Sequence, residues 1–415
     1  MLSPPETAPR STRVMVLVNC YIPGYKGGGP IRSIENLVGV LGERIHFRVV
    51  AADRDYGDTT PYAGMPAHQW VTVGRSVVFY LKPGLRGLAA MLRLLRRREY
   101  DVLYLNSAFH PYFTIMPLVL WHFRLIPRTP VIIASRGELS AEALRIKMLK
   151  KGMFRHLINY FFRIYRGVVW QASTVHEELE IREFLRDSAV VRKVPVLVAR
   201  DFVNSHFTSA PTKPAKLPAK LDLVFVSRIA KKKNLLFGIK VLRHIQGEAT
   251  LRIYGPIEDA NYWAECQAEI ASLPGNVKVI YGGVIQHADV QSVMAASHVF
   301  LLPTLNENFG HVVYEALSQG CVAVISDATA WRNLAAAGAG WDIPLDQPDR
   351  YETALQQCMD MDDQVFQAAS ARAVSLAHAT FEDAEAVRQN EALFTNAALT
   401  AALGLRRITR RPALP

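Results

Sequence analysis

Ten short runs rich in Val, Ile and Leu decide what this chain can become. Five fall in the first half: "VMVLVN" (14–19), "FRVVAAD" (47–53), "DVLYLN" (101–106), "VIIAS" (131–135) and "VVWQAS" (168–173). Five fall in the second: "LDLVFVSR" (221–228), "ATLRIYG" (249–255), "VKVIYGG" (277–283), "HVFLLPT" (298–304) and "VAVISD" (322–327). Each is followed by a stretch long enough for an amphipathic helix. Apolar runs of this length, alternating with helices, read as strands buried on both faces of a parallel sheet. Between the two series, "SAPTKPAKLPAKL" (209–221) carries three prolines and no periodicity, the mark of a linker. The pattern predicts two doubly wound α/β domains, at 1–208 and 221–380, joined by a Pro-rich linker at 209–220. A helix at 381–399 and a basic tail at 400–415 close the chain. In such sheets ligands bind beyond the carboxyl ends of the strands.

Composition narrows the function classes. With 415 residues, half of them hydrophobic and a fifth charged, the chain is globular and too long for one ordinary core. Forty-eight Lys and Arg against 37 Asp and Glu leave a net charge of +11, which suits an anionic partner: nucleic acid, a membrane surface or a phosphorylated ligand. Helix-turn-helix, RNA-binding aromatic and zinc-module patterns are absent, which argues against nucleic acid. Cys20, Cys266, Cys321 and Cys358 are scattered, without metal-ligand spacing, and read as reduced thiols of a cytoplasmic protein. The longest uncharged run, "FHPYFTIMPLVLW", holds two prolines and is too short to span a membrane.

Three loops carry chemistry. After the first strand, "PGYKGGGPIRSIENL" places Gly27, Gly28 and Gly29 before a helix, where backbone can approach a ligand and helix N–H groups favour anions. This is not G-x-G-x-x-G, and a nicotinamide dehydrogenase would need that fingerprint. The first strand of the second domain ends in "VSRIAKKKNL", with Arg228 at its end and Lys233 five residues on. A guanidinium fork and an ammonium together neutralise a diphosphate. Lys231 and Lys232 read as a solvated basic run. In "LPTLNENFGHVVYEALSQG", Glu307 falls in a loop, Gly310 near the start of a helix expected from about Phe309, and Glu315 about two turns into it.

With Arg-x4-Lys at one strand end and Glu-x7-Glu at a later one, the chain resembles glycosyltransferase family 4, retaining enzymes of the GT-B fold. The motifs "GGGPIRSIENL", "SRIAKKKNL", "IYGP", "YGGV" and "ENFGHVVYEALSQGCVAVIS" follow in the family's order. The resemblance implies two Rossmann-like domains facing across a cleft, with the C-terminal helix crossing back to the first. It also implies transfer of a sugar from a UDP- or GDP-linked donor to a glycan or lipid-linked acceptor, as in cell-surface polysaccharide synthesis, with no metal or other cofactor. By the same resemblance, Arg228 and Lys233 hold the diphosphate, Glu315 the ribose, and Glu307 faces the donor sugar with the backbone of Asn308, Phe309 and Gly310. Val284 lies by the base, and Gly28 and Gly29 approach the phosphate and acceptor. Asp53-Arg54-Asp55 spells D-x-D, the metal signature of another glycosyltransferase fold, but stands far from the donor motifs. Arg136-Gly137 stands where many members carry a histidine. Arg136 cannot serve as a base; it is a candidate phosphate or acceptor ligand, and His110 a candidate substitute for the histidine.

Two basic stretches, "ALRIKMLKKGMFRHLINYFFRIYRG" (143–167) and "LAAMLRLLRRREY" (88–100), suit an anionic membrane surface, and so a protein peripheral on the inner face of the cytoplasmic membrane. Two alternatives stand beside the glycosyltransferase reading. A nucleotide-sugar epimerase would convert the donor without an acceptor. A basic, non-enzymatic protein would bind nucleic acid or a membrane surface.

Overall fold

Each of the ten apolar runs is a strand in the computed structural model, and four further strands extend the sheets. The structure describes residues 11–140, 144, 162–186, 194–203, 213–381 and 384–395. The chain divides into two units, Met1–Phe202 with Ala384–Pro415, and Val203–Asp383.

The first unit is built on β1 (Arg13–Leu17), β2 (His46–Ala52), β3 (Trp70–Val73), β4 (Ser76–Leu81), β5 (Val102–Leu105), β6 (Val131–Ala134), β7 (Val169–Ala172) and β8 (Val196–Val198). They form one sheet in the order β3-β4-β2-β1-β5-β6-β7-β8, parallel except for the β3–β4 hairpin. Its helices are α1 (Gly29–Leu41), α2 (Leu85–Arg96), α3 (Met116–His122) and α4 (Val175–Arg186). In α1, Ile31, Ile34, Leu37, Val38 and Leu41 recur every three to four residues and are all buried. Burying each such side chain contributes roughly 1.5–3 kcal/mol.

The described residues of the second unit form six strands: β9 (Lys220–Val226), β10 (Glu248–Tyr254), β11 (Val277–Tyr281), β12 (Val299–Leu302), β13 (Val322–Ser326) and β14 (Gly340–Ile343). All are parallel, in the order β11-β10-β9-β12-β13-β14. Around them lie α5 (Leu235–Lys240), α6 (Ala260–Ala271), α7 (His287–Ala295), α8 (His311–Ser318), α9 (Leu334–Ala337), α10 (Pro348–Asp360) and α11 (Asp363–Phe381).

Of the segment expected as a linker, 209–212 lies outside the described residues, and the rest is held on the second unit by two buried lysines. Lys213 donates to the Met294 carbonyl (2.9 Å) and to that of Ser297, at the C-terminal end of α7. Lys216 donates to the carbonyls of Leu217 (2.8 Å), Met359 (2.9 Å) and Met361 (3.2 Å), closing the C-terminal end of α10. Ammonium groups placed there satisfy orphan carbonyls and meet the negative end of the helix dipole. The proline spacing leaves this segment non-helical, and the two lysines give it a fixed course.

Helix α12 (Ala384–Thr395) packs on the first unit. Phe394 meets Phe47 and Tyr104 edge-on at 5.6 and 5.2 Å, and Asn390 Nδ2 donates to the Arg200 carbonyl (2.7 Å). Residues 396–415, with the rest of the expected closing helix and the basic tail, lie outside the described residues, as does most of the basic stretch 143–167. Among the described residues no helix is long and apolar enough to cross a membrane.

His298 is buried beneath β9, where its Nδ1 accepts from the Asp222 amide at 3.1 Å and its ring meets Phe366 edge-on. Burial pushes this imidazole down to about 4, Lys216 and Lys213 adding to the effect and Asp222 opposing it. The unfolded chain takes up the proton near pH 6.5 while the folded one refuses it, so the stability is complete above pH 6.5 and drains away as pH falls toward 4. By linkage the loss approaches about 3 kcal/mol. Urea titrations of the second unit's transition should show this slope for the native chain and a flatter one for His298→Gln.

Candidate functional site

Strand β9 is the point where the second sheet's order reverses, with β10 on one side and β12 on the other. At such a point the loops leaving neighbouring strands part and open a crevice at their carboxyl ends. The loops after β9 and β12 carry Arg228, Lys233 and Glu307, and the structure brings these three together.

Lys233 ends a single 3-10 turn, Lys231–Lys233, that precedes α5; Asn234 in the left-handed conformation joins the two. The turn is tied to the β12 loop, since the Lys232 carbonyl accepts from the Leu305 amide (2.8 Å) and from Thr304 Oγ1 (3.1 Å). That tie presents the mostly buried Lys233 ammonium to Glu307, and the two form a hydrogen-bonded ion pair. Burial alone would raise the Glu307 carboxyl, but the Lys233 ammonium, with Lys232 and Arg228 behind it, holds it below the usual carboxylate range. Glu307 is therefore a carboxylate at neutral pH. Arg228 reaches the other way, to Glu258, its Nη1 2.5 Å from Oε2.

The β12 loop is fixed from below. Glu307 N–H donates to the Ala328 carbonyl (2.8 Å), Ser326 Oγ to that of Thr304 (2.5 Å), and Trp331 Nε1 to that of Phe309 (3.0 Å). The Phe309 ring is buried in the core, so only its backbone is available to a ligand. Gly310 caps α8 at φ 77°, ψ 54°, and a Cβ there would stand 3.3 Å from the Glu307 Cγ and the Trp331 ring. Helix α8 starts at His311, later than the sequence suggested, which makes Glu315 its fifth residue, half-buried and a little over one turn from Gly310. Asn308 is half-buried on the same loop. Val284 is 47% exposed just beyond β11, where the Gly283 carbonyl accepts from the Gly255 amide (2.9 Å).

In the first unit the glycine loop follows β1, at that sheet's own reversal between β2 and β5. Gly28 sits at φ 66° and caps α1, whose first residue is Gly29. The D-x-D carboxylates serve this loop and its neighbourhood. Asp55 Oδ2 accepts from the amides of Tyr25 (2.7 Å) and Lys26 (2.9 Å), and Asp53 Oδ1 accepts from Arg54 Nε (2.8 Å). Among the described residues no group of three or more His, Cys, Asp or Glu is gathered as for a metal ion.

Arg136 is a buried structural cation. It donates to Asp201 Oδ1 (2.5 Å), Tyr104 Oη (2.7 Å) and Asn106 Oδ1 (2.9 Å). Asp201 in turn accepts from Ser33 Oγ on α1 (2.6 Å), joining the end of β6 to the helix after the glycine loop. His110 caps the turn Pro111–Ile115, its Nδ1 accepting from the amides of Tyr112 (3.2 Å) and Phe113 (3.1 Å). Burial lowers its pKa, in keeping with a neutral acceptor. Sequence reasoning missed Glu258, Trp331 and Asp201. Only Glu258 left a signal, as an acid in "IYGPIED" one loop from Arg228.

Residues 208–372 match the family described as "Glycosyl transferases group 1". A phosphatidyl-myo-inositol mannosyltransferase of Mycolicibacterium smegmatis is 33% identical over 116 residues, which span 28% of this chain and 29% of that protein. Among solved structures, WaaG, a glycosyltransferase involved in lipopolysaccharide biosynthesis, superposes with a TM-score of 0.61 at 14% identity, over 92% of this chain and all of that one. HepE of Anabaena, solved with UDP and glucose, gives 0.64 at 18% identity over 92% of this chain and 98% of its own. At such identities the likeness carries the fold, two Rossmann-like units of the GT-B type.

Gly310→Ala forces a left-handed alanine against Trp331 and Glu307. It should cost about 1–2 kcal/mol in the second unit's denaturant transition, while Gly275→Ala, at a glycine with open space around it, should cost far less.

Proposed function

We propose that this protein is a retaining glycosyltransferase that moves a sugar from a nucleoside-diphosphate donor to an acceptor hydroxyl. One observation carries the reading: Arg228, Lys233 and Glu307 converge at the strand-order reversal of the second sheet, with Glu315 on the adjoining helix, inside the segment that matches the group 1 family. Arg228 and Lys233 take the diphosphate and stabilise the charge that grows on it as the anomeric C–O bond breaks. Glu315 accepts from the ribose hydroxyls. Glu307, a carboxylate beside the bound phosphates, orients the sugar and favours positive charge at its anomeric carbon. The acceptor oxygen bonds to that carbon from the face the diphosphate leaves, and the acceptor proton passes to the departing phosphate. Because protein cations supply the countercharge, the reaction needs no metal.

The relatives' substrates narrow the donors to test first: UDP-glucose, with which HepE was solved in complex, and a mannose donor, after the mannosyltransferase. A membrane-borne acceptor fits one face of the first unit. Along α2, Arg86, Arg93 and Arg97 line a groove of about 480 Å³ with His68 and Trp70. Leu85 stands 83% exposed on the same helix. Phe123, 73% exposed, precedes a turn that Arg96 binds through the Leu125 carbonyl (3.2 Å). Arginines beside exposed apolar side chains suit an anionic lipid surface.

Two measurements test these readings. In transfer assays containing EDTA, the native chain should turn over. Glu307→Gln should lose at least about a hundredfold in kcat while still binding nucleoside diphosphate, and Arg228→Ala and Lys233→Ala should lose both. Conversion of the donor with no acceptor present would instead favour the epimerase. In sedimentation with vesicles, the chain should follow phosphatidylglycerol-rich membranes and not neutral ones, and Arg93→Glu with Arg97→Glu should release it. Equal partition of the native chain to both would remove the membrane from the proposal.

A further inference from the structure

Both cations of the donor site carry a carboxylate partner, and the two partners are not alike. Glu307 is mostly buried against Lys233 and sits on the loop that faces the ligand. Glu258 and Arg228 are each about two-fifths exposed, at 42% and 40%, and Glu258 lies outside every motif that the sequence marks.

The backbone builds this second pair in. Ile229, next to Arg228, donates its amide to the Pro256 carbonyl (2.9 Å), and its own carbonyl accepts from the Glu258 amide (3.1 Å). Ile229 and Ile257 form a parallel bridge between these segments. The main chain thus places Glu258 beside Arg228 whatever its side chain does. The adjacent acid has another task, since Asp259 Oδ1 caps α6 by accepting from the Tyr262 amide (3.0 Å). Glu258 makes no such cap. Arg228, Lys233, Glu258 and Glu307 together carry no net charge, although the ligand they are to bind is strongly anionic.

We propose that Glu258 is an exchange partner for the diphosphate: it occupies the Arg228 guanidinium in the empty site, yields it when the phosphates arrive, and reclaims it to help the nucleoside diphosphate leave. The inference rests on the donor-site reading and adds a residue that sets affinity for the leaving product. An exposed pair exchanges at little cost, because both groups find water as they part. A donor site made only of unopposed cations would hold its product tightly and slow each cycle. Glu258 offsets that tendency, while Glu307 remains committed to the sugar.

Calorimetric titration of the full chain with UDP and GDP tests this. Glu258→Gln keeps the size and the hydrogen-bonding capacity of the side chain and removes its charge. It should lower the Kd of whichever diphosphate the native chain binds by about three- to tenfold. Glu265→Gln removes the same charge from a pair with Lys231, 3.8 Å apart and exposed on α6, and should leave the Kd unchanged. An unchanged or weaker Kd for Glu258→Gln would overturn the proposal, as would equal tightening by Glu265→Gln, which would reduce the effect to overall charge. If the native chain binds neither diphosphate, the donor-site reading falls and this inference with it. Native binding that is blind to Glu258 removes the inference alone.

Discussion

A parallel sheet sends every strand out of the same edge, and where its order reverses the departing loops must separate. Everything chemical in the second unit follows from that constraint at β9. Arg228 leaves β9, Glu307 leaves β12, and these are neighbours in the sheet although the chain between them runs through α5, β10, α6, β11 and α7. The loops do not hang free. The carbonyl of Lys232 ties the turn after β9 to the loop after β12, and Trp331, beyond β13, holds the latter at the Phe309 carbonyl. The Lys233–Glu307 pair is then assembled by backbone geometry, so its ordering costs little at the moment of ligand binding.

The first unit uses the same constraint with opposite charge. Its reversal lies at β1, and the loop that follows is rich in glycine, so its amides need partners if the loop is to keep one shape. Carboxylates supply them. Asp55 takes the amides of Tyr25 and Lys26, and Asp201 takes the side-chain hydroxyl of Ser33 on the helix that follows. Of the two acids that spell a metal signature in one dimension, Asp55 is, in three, a strut of a backbone loop, and Asp53 pairs with the Arg54 side chain. Arg136 completes this frame by balancing Asp201, a pairing needed because both side chains are only 6% exposed.

Much of this was legible in the sequence, and the reasons are physical. Most of the ten strands could be read because a strand buried on both faces needs a continuous apolar run, and that signal survives without context. Strand β11, largely exposed at its sheet edge, showed through its β-branched residues alone. The strands β3, β4, β8 and β14 were not read. Three of them, β3, β8 and β14, end their sheets with partly exposed residues and are short and mixed in character, whereas β4 is a largely buried, mostly apolar run of six residues that went unread. Arg228, Lys233 and Glu307 were visible because their spacing matches a family's chemistry. Their mutual arrangement was not, because the Lys232–Leu305 tie that creates it joins residues far apart in the chain. Lys213 and Lys216 show the converse limit. They lie in a Pro-rich run that reads only as a linker, yet each ammonium finds carbonyls at a helix end that no local pattern announces.

Arg136 shows how a departure from a family pattern should be weighed. A histidine at this strand end could pass between charge states near neutral pH; an arginine cannot. One response would be to seek the lost histidine elsewhere, and His110 is the natural choice. Its Nδ1, however, accepts two backbone amides at the start of the Pro111–Ile115 turn, and protonation there would break that cap. A second response would make Arg136 a phosphate ligand, but its guanidinium is already shared among Asp201, Tyr104 and Asn106. What the arginine does supply is rigidity, through Asp201 to the helix behind the glycine loop. In a retaining transfer in which the departing phosphate itself receives the acceptor's proton, the first unit need contribute no base. A frame of fixed charges such as Arg136 with Asp201 keeps one geometry where a titrating ring would change charge.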